Sequence, residues 1–190
     1  MGSSAMPLVI MVFSTVIAMA LVHGSGIGEG PKEVEEWFQN LSHAKEKMTK
    51  LHFYFHDLTH GKGQTAAQMA QTNISSKSPT SFGFLNMMDD PLTVGPELSS
   101  KMVGRAQGFY GTDSMEEVTQ IVAINFIFSG GEYNGSSLTV MGWNPILRVY
   151  REMPIVGGSG VFRLARGVVT FKTYFFNVTA GNATIEVAKG

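Results

Sequence analysis

The 190-residue chain has no cysteine, which excludes a disulfide framework and thiolate chemistry and leaves stability to the core and to association. Charge is also scarce, at 15% of residues and a formal net charge of −1. No basic field exists to attract nucleic acid, and no acidic tail stands out. No serine sits in a nucleophile elbow, so a hydrolase is unsupported. Gly61-Lys62-Gly63-Gln64-Thr65 lacks the spacing of a phosphate-binding loop, and no run of strands alternating with helices provides a setting for one.

What is present begins with a targeting pattern. Pro7 to Val22 is almost wholly apolar and uncharged, with Ala18-Met19-Ala20 and Val22-His23-Gly24 as alternative cleavage sites. The spacing predicts a signal peptide over 1–24, cleaved near 20–24. A signal anchor is the rival reading, and no membrane association is expected once the signal is removed. Sequons at Asn40, Asn73, Asn134, Asn177 and Asn182 support secretion and mark candidate glycosylation sites.

Residues 25–50 read as a linker followed by an amphipathic helix from Pro31 to Met48. Val34, Trp37, Phe38, Leu41 and Met48 recur at helical spacing. Residues 51–190 then read as one β-rich domain. Hydrophobic content of 44% with 22 glycines fits a packed, turn-rich fold. Candidate strands are Leu51 to Asp57, Phe82 to Met88 (closed by Asp89-Asp90-Pro91), Met102 to Tyr110 and Val118 to Phe128. Ser137 to Trp143, Ile146 to Tyr150, Val161 to Ala165, Val168 to Val178 and Ala183 to Val187 follow. Gly61 to Ser81 is polar and reads as a long loop, Gly157-Gly158-Ser159-Gly160 as a tight turn, and Asn134-Gly135 as a hairpin signal. This pattern implies an antiparallel sandwich or barrel, and periodicity alone does not choose between them.

The strand Leu51-His52-Phe53-Tyr54-Phe55-His56-Asp57 carries the main chemical signal. In strict alternation Leu51, Phe53, Phe55 and Asp57 share one face, so an apolar stripe ends on a carboxylate. A buried acid is costly unless paired, solvated or used. His52, His56 and His60 are spaced by four, but in a strand His52 and His56 sit too far apart to chelate alone, and no metal is expected. Arg105 and Arg151 are candidate cations. Either is an ordinary surface charge unless it faces a cavity, where Arg can orient a phenolate or carboxylate.

Several blocks in order, Leu51 to Asp57, Asp89-Asp90-Pro91-Leu92, Gly104 to Tyr110, Glu132 to Gly135 and Arg151 to Gly167, closely resemble plant dirigent proteins. The resemblance implies an eight-stranded antiparallel β-barrel of the allene-oxide-cyclase-like kind, a homotrimer secreted to the apoplast, and the sequons add that it is a glycoprotein. It implies stereocontrol of phenoxy-radical coupling of monolignols such as coniferyl alcohol in lignan biosynthesis, without a cofactor and with a separate oxidase or laccase making the radicals. The alternatives are a quinone-methide lyase or cyclase of the pterocarpan synthase type, and a non-catalytic defence protein that binds phenolics or glycans. Asp57 and Arg151 match the family's pocket acid and arginine. Tyr110 matches a pocket aromatic, and Phe55 and Asn144 complete the candidate substrate pocket. The second pocket acid belongs to an Ala-Asp-Pro motif, where this chain has Trp143-Asn144-Pro145. The short, polar last strand leaves closure of the barrel as the structural question.

Overall fold

Strands whose apolar residues alternate must bury one face, and here that face curls into a lumen. The computed structural model describes residues 30–188, so the predicted signal peptide lies outside the described residues. The strands are β1 (His52–Asp57), β2 (Ala66–Ala70), β3 (Leu85–Thr93), β4 (Met102–Thr112), β5 (Gln120–Phe128), β6 (Ser137–Asn144), β7 (Tyr150–Ser159), β8 (Gly167–Asn177) and β9 (Asn182–Ala188). All pairings are antiparallel, in the order β1-β9-β8-β7-β6-β5-β4-β3, and a direct β1–β3 pairing closes this ring of eight. The ninth strand, β2, adds to the outer part of β3.

Closure holds despite the polar last strand. β9 pairs with β1 over six residue pairs, His52–Ala188 to Asp57–Ala183, and with β8 on its other side. Its outward Thr184 and Glu186 alternate with inward Ile185 and Val187, so the polarity belongs to one face.

The base of the lumen is filled. Phe126 lies edge-on to Phe53 and Phe171, while Phe128, Tyr133 and Phe162 stack below. Leu92, Met153, Val140 and Val187 are almost completely buried around them. The residual void there is about 10 Å³, too small to matter.

Five local expectations need correction. The 61–81 loop contains β2 and α2 (Asn73–Lys77), whose start is fixed by reciprocal Thr72–Ser75 capping. β2 is an edge strand with four of five residues exposed, so its polar composition concealed it. Asp89-Asp90-Pro91 does not end a strand but lies inside β3. Residues 146–149 form a turn before β7, and Gly157 to Ser159 extend β7 opposite Ser137 to Thr139. The expected strand at 161–165 is a 3-10 turn begun by Gly160 at φ +62°, where a Cβ would stand 2.4 Å from Ser136 Oγ.

The amphipathic helix is also shorter than its pattern suggested. α1 spans Pro31–Asn40, followed by a 3-10 turn at Leu41–His43, and buries no residue. It touches the barrel where the Arg163 guanidinium lies over the Trp37 ring at 5.5 Å, and Arg166 pairs with Glu46 beyond it.

Truncating Phe126 to Ala removes the ring that joins Phe53, Phe55 and Phe171. The expected loss is about 3–5 kcal/mol of unfolding free energy in a denaturant titration. A loss under about 1 kcal/mol would show that the base is not the stabilising core.

Candidate active site

Antiparallel alternation brings the ends of β1, β4, β6 and β8 to the same rim as the starts of β3, β5, β7 and β9. At that rim the inward stripes turn polar. The stripe Phe53, Phe55 ends on Asp57, and Ala106 and Gly108 lead to Tyr110. Leu138 and Val140 lead to Asn144, and Met153 is preceded by Arg151. The result is a cavity of about 1090 Å³, open at one end, with Phe55, Met88, Val122, Ile124, Phe171 and Ile185 as its apolar floor and walls.

All five residues expected in the pocket, Phe55, Asp57, Tyr110, Asn144 and Arg151, line this one cavity. They divide into two walls. Asp57 on β1 and Tyr110 on β4 flank Asn86 of β3, whose Nδ2 donates to the Tyr110 hydroxyl at 2.7 Å. Across the lumen stand Gln120 of β5, Asn144 of β6 and Arg151 of β7. Asn144 Nδ2 donates to Gln120 Oε1 at 3.3 Å.

Arg151 is 3% exposed, and its Nη1 donates to Ile146 O at 3.1 Å and to Thr173 Oγ1 at 2.8 Å. Among the described residues it forms no ion pair. A buried cation without a carboxylate is expensive, and its direction of titration shows it: burial lowers its pKa. Arg remains charged at any physiological pH, so it presents a positive, incompletely satisfied group to the cavity.

Asp57 lies at the other wall. Burial pushes its carboxyl up to about 6, against the opposing pull of the Tyr110 hydroxyl. The same burial, with the neighbouring Asp57 charge, raises the Tyr110 phenol further, so it stays protonated as a donor. Asp90 is fully buried on β3 and is pushed up to about 8, first by burial and then by the charge of Asp57.

Five buried polar atoms have no hydrogen-bond partner among the described residues: Asp57 Oδ1, Asn86 Oδ1, Asp90 Oδ2, Asn144 Oδ1 and Arg151 Nε. All belong to this end of the barrel. Orphaned buried groups are rare and costly, and the residues of four of the five line this one cavity.

Asn86, Asp90, Gln120 and Thr173 were not singled out from sequence. Asp90 was hidden by Pro91, which suggested a turn. Asn86 could have been found by carrying the alternation of Met88 and Leu92 two residues back. Arg105 stays outside, paired with Asp89 on the outer surface. The histidines disperse: His52 meets Glu186, buried His56 meets Thr93 and Thr184, and His60 meets the Ala180 carbonyl. Asn40, Asn73, Asn134 and Asn177 are exposed. Asn182 is half-buried and its amide caps the 59–60 turn, accepting from Thr59 N and His60 N.

These features define a closed antiparallel β-barrel with acid and cationic groups facing each other inside an apolar lumen. The chain belongs to the dirigent family: the family described as Dirigent-like protein matches residues 48–188. Dirigent protein 21 of Arabidopsis thaliana is 44% identical over 144 residues, covering 76% of each chain. Pterocarpan synthase 1 of Glycyrrhiza echinata is 46% identical over 147 residues, covering 77% of this chain and 78% of the relative. Among solved structures, the pterocarpan synthase dirigent protein GePTS1 superimposes with a TM-score of 0.69 at 45% identity, over 75% of this chain and 86% of that one. PsPTS1, also a pterocarpan synthase dirigent protein, gives 0.70 at 43% identity, over 76% and 94%.

The raised carboxyls carry a stability prediction. Asp57 and Asp90 bind protons more tightly when folded than at the ordinary aspartate value of 3.8. The folded state therefore holds more protons between pH 3.8 and about 8, and stability falls as pH rises through that window. The loss is on the order of several kcal/mol. Thermal melts at pH 5, 7 and 9 should show a declining Tm, with a shallower decline in Asp90→Asn. A Tm that rises or stays level over this range contradicts it.

Proposed function

We propose that this protein binds a phenol-derived quinone methide in the barrel and directs its ring closure to one stereoisomer. The observation that carries the proposal is the buried, uncompensated Arg151 facing Asp57 and Tyr110 across an apolar cavity. A quinone methide is apolar over most of its surface and concentrates developing charge on one oxygen. Arg151 supplies a donor for that oxygen in a setting from which bulk water is largely removed. Asp57 supplies proton transfer, with its carboxyl raised towards neutrality.

The favoured chemistry is isoflavanol dehydration of the pterocarpan synthase type. Protonation of the benzylic hydroxyl releases water, and loss of a phenolic proton gives the quinone methide. Attack by a second phenolic oxygen forms the ring, that oxygen loses its proton, and a proton returns to the quinone-methide oxygen. The net change is loss of one water, so no oxidant is needed. Asn144, in place of the second pocket acid, and the identity to pterocarpan synthases of 46% and 43% support this reading.

Stereoselective coupling of monolignol radicals is the second reading. The cavity volume favours it, because two phenolic rings fit within about 1090 Å³. It requires radicals from a separate oxidase or laccase, after which the bis-quinone methide closes with the same proton transfers. About 1.4 kcal/mol between two faces gives tenfold selectivity. Under either reading we infer a secreted, apoplastic, glycosylated homotrimer. Exposure favours glycans at Asn40, Asn73, Asn134 and Asn177, whereas Asn182 is half-buried.

Two incubations separate the readings. A racemic isoflavanol without oxidant, resolved on a chiral column, should yield a single pterocarpan enantiomer. Coniferyl alcohol with a laccase should yield optically active pinoresinol only if the second reading holds. Asp57→Asn should lower the productive reaction about 10²-fold or more, and Arg151→Ala about 10²–10³-fold, with the fold retained by circular dichroism. Racemic or absent product in both incubations, with a phenolic still bound, would leave a non-catalytic binding protein.

A further inference from the structure

We propose that Asp57 and Asp90 form a carboxyl–carboxylate pair holding a single proton between them, with Asp90 a positioning residue that acts through Asp57. The inference deepens the proposed function and rests on it only for the catalytic consequence.

The geometry comes from the closing seam of the barrel. β1 and β3 pair at Tyr54–Thr93 and Phe55–Leu92. Continuing this antiparallel register two residues further sets Asp57 opposite Asp90. Both follow the inward positions of Phe55 and Leu92, so both carboxyls lie on the lumenal side of the seam. The ladder itself stops at Pro91, which has no N–H to donate.

Thr65 occupies the gap this leaves. Its backbone N donates to Leu58 O at 2.8 Å, and its carbonyl accepts from Asp89 N at 2.9 Å. Its hydroxyl donates to Asp90 Oδ1 at 2.6 Å and accepts from Leu58 N at 3.1 Å. Asp90 Oδ1 is thereby satisfied and fixed, and Asp90 Oδ2 is left without a partner. Asp57 Oδ1 is buried and equally without one. Two facing carboxyls, each with one orphaned oxygen, satisfy each other when one of them is protonated and donates.

The surrounding charges do not offer an alternative. Tyr110 of β4 is the titratable group against the pair, and it is a neutral donor. Asp89 and Arg105 neutralise each other on the outer face, His56 points outward to Thr93 and Thr184, and β9 contributes Ala183 beside Asp57. His60 lies at the cavity mouth, and Arg151 stands across the lumen. The directions of titration agree with a shared proton, since the charge of Asp57 is among the causes that raise Asp90.

The pair would give Asp57 both a base and an acid function in turn. Asp57 draws the shared proton from Asp90 and donates it to the departing hydroxyl, which leaves both groups as carboxylates; Asp57 then accepts a proton from the substrate phenol, and the single shared proton is restored. Asp90 does not line the cavity, so it reaches the substrate through Asp57. It restores by a different strand the second carboxyl that Asn144 lacks.

The test is an NMR titration of the full chain labelled with ¹³Cγ-aspartate, with Asp57→Asn and Asp90→Asn used to assign the two signals. In the unsubstituted protein both signals should respond to the same two steps, near pH 6 and near pH 8. Asp57→Asn should lower the remaining Asp90 step by about one pH unit or more as the neighbouring charge disappears. Asp90→Asn should leave Asp57 with a single step. Should Asp90→Asn not fold, the Asp57→Asn arm decides, since Asp57 lines an open cavity. An Asp90 signal that titrates once near 4, or that is unmoved by Asp57→Asn, overturns the pair. As a second readout, product formation should decline above about pH 8 as the last proton leaves, and Asp90→Asn should move that alkaline limb down to the single remaining step of Asp57. Normal titration with no product in either incubation would defeat the proposed function and leave the pair intact.

Discussion

Where β1 and β3 meet, the barrel closes on two register pairs, and the ladder stops because Pro91 has no proton to give. That short seam sets much of what lies above it. Beyond Asp57 the chain leaves β3, and Thr65 enters between Leu58 and Asp89 with both its backbone groups and its hydroxyl engaged. A full ladder here would have matched every backbone group and left no reason for a side chain to intrude. The interruption instead brings a hydroxyl to Asp90 and leaves Asp57 free at the lumenal rim. Closure and chemistry share one structural device.

The remainder of the barrel makes this tolerable. Five orphaned polar atoms at one end are a substantial burden for a domain of ordinary stability. They are offset by an aromatic base in which Phe53, Phe55, Phe126, Phe128, Phe162 and Phe171 interlock with almost no void. The polarity gradient along each inward stripe separates the two tasks. Residues near the base contribute packing, and those near the rim contribute reactivity and receive little stability in return. A ligand that supplies the missing hydrogen bonds should therefore bind to the folded protein and stabilise it.

Much of this was legible in the sequence, for particular physical reasons. The stripe of Phe53, Phe55 and Asp57 was visible because a strand has a period of two and β1 keeps it without a bulge. The hairpin between β5 and β6 was visible through Asn134-Gly135. The pocket positions of Arg151 and Tyr110 came with the family resemblance, because composition and spacing do not distinguish an inward arginine from an outward one. Arg105, also on a strand, shows the point, as it faces solvent beside Asp89. What stayed hidden depended on contacts between distant segments. β2 forms only because β3 offers it an edge, and Asp90 is buried only because β1 lies against it. A proline inside a strand is normally a terminator, so Asp89-Asp90-Pro91 read as an end when it was a seam.

The position of Asp90 inside β3 bears on function. If the second carboxyl of a dirigent pocket must come from the strand that here carries Asn144, this chain has lost half of an acid–base pair. If a carboxyl can instead be recruited through Asp57 from the adjoining seam, the loss is only positional. The two cases differ in where charge sits relative to the substrate. An acid on β6 would stand beside Arg151 and partly neutralise it. With Asn144 there, Arg151 keeps its full positive charge unneutralised, while Asp57 and Asp90 stand on the other side of the barrel. The lumen is thereby more strongly polarised, favouring a substrate with one electron-rich oxygen at one end and one departing or transferring proton at the other. A single quinone methide formed by loss of water has that asymmetry. A symmetric pair of coupled monolignols has it less, which is the physical reason to place dehydration ahead of coupling for this chain.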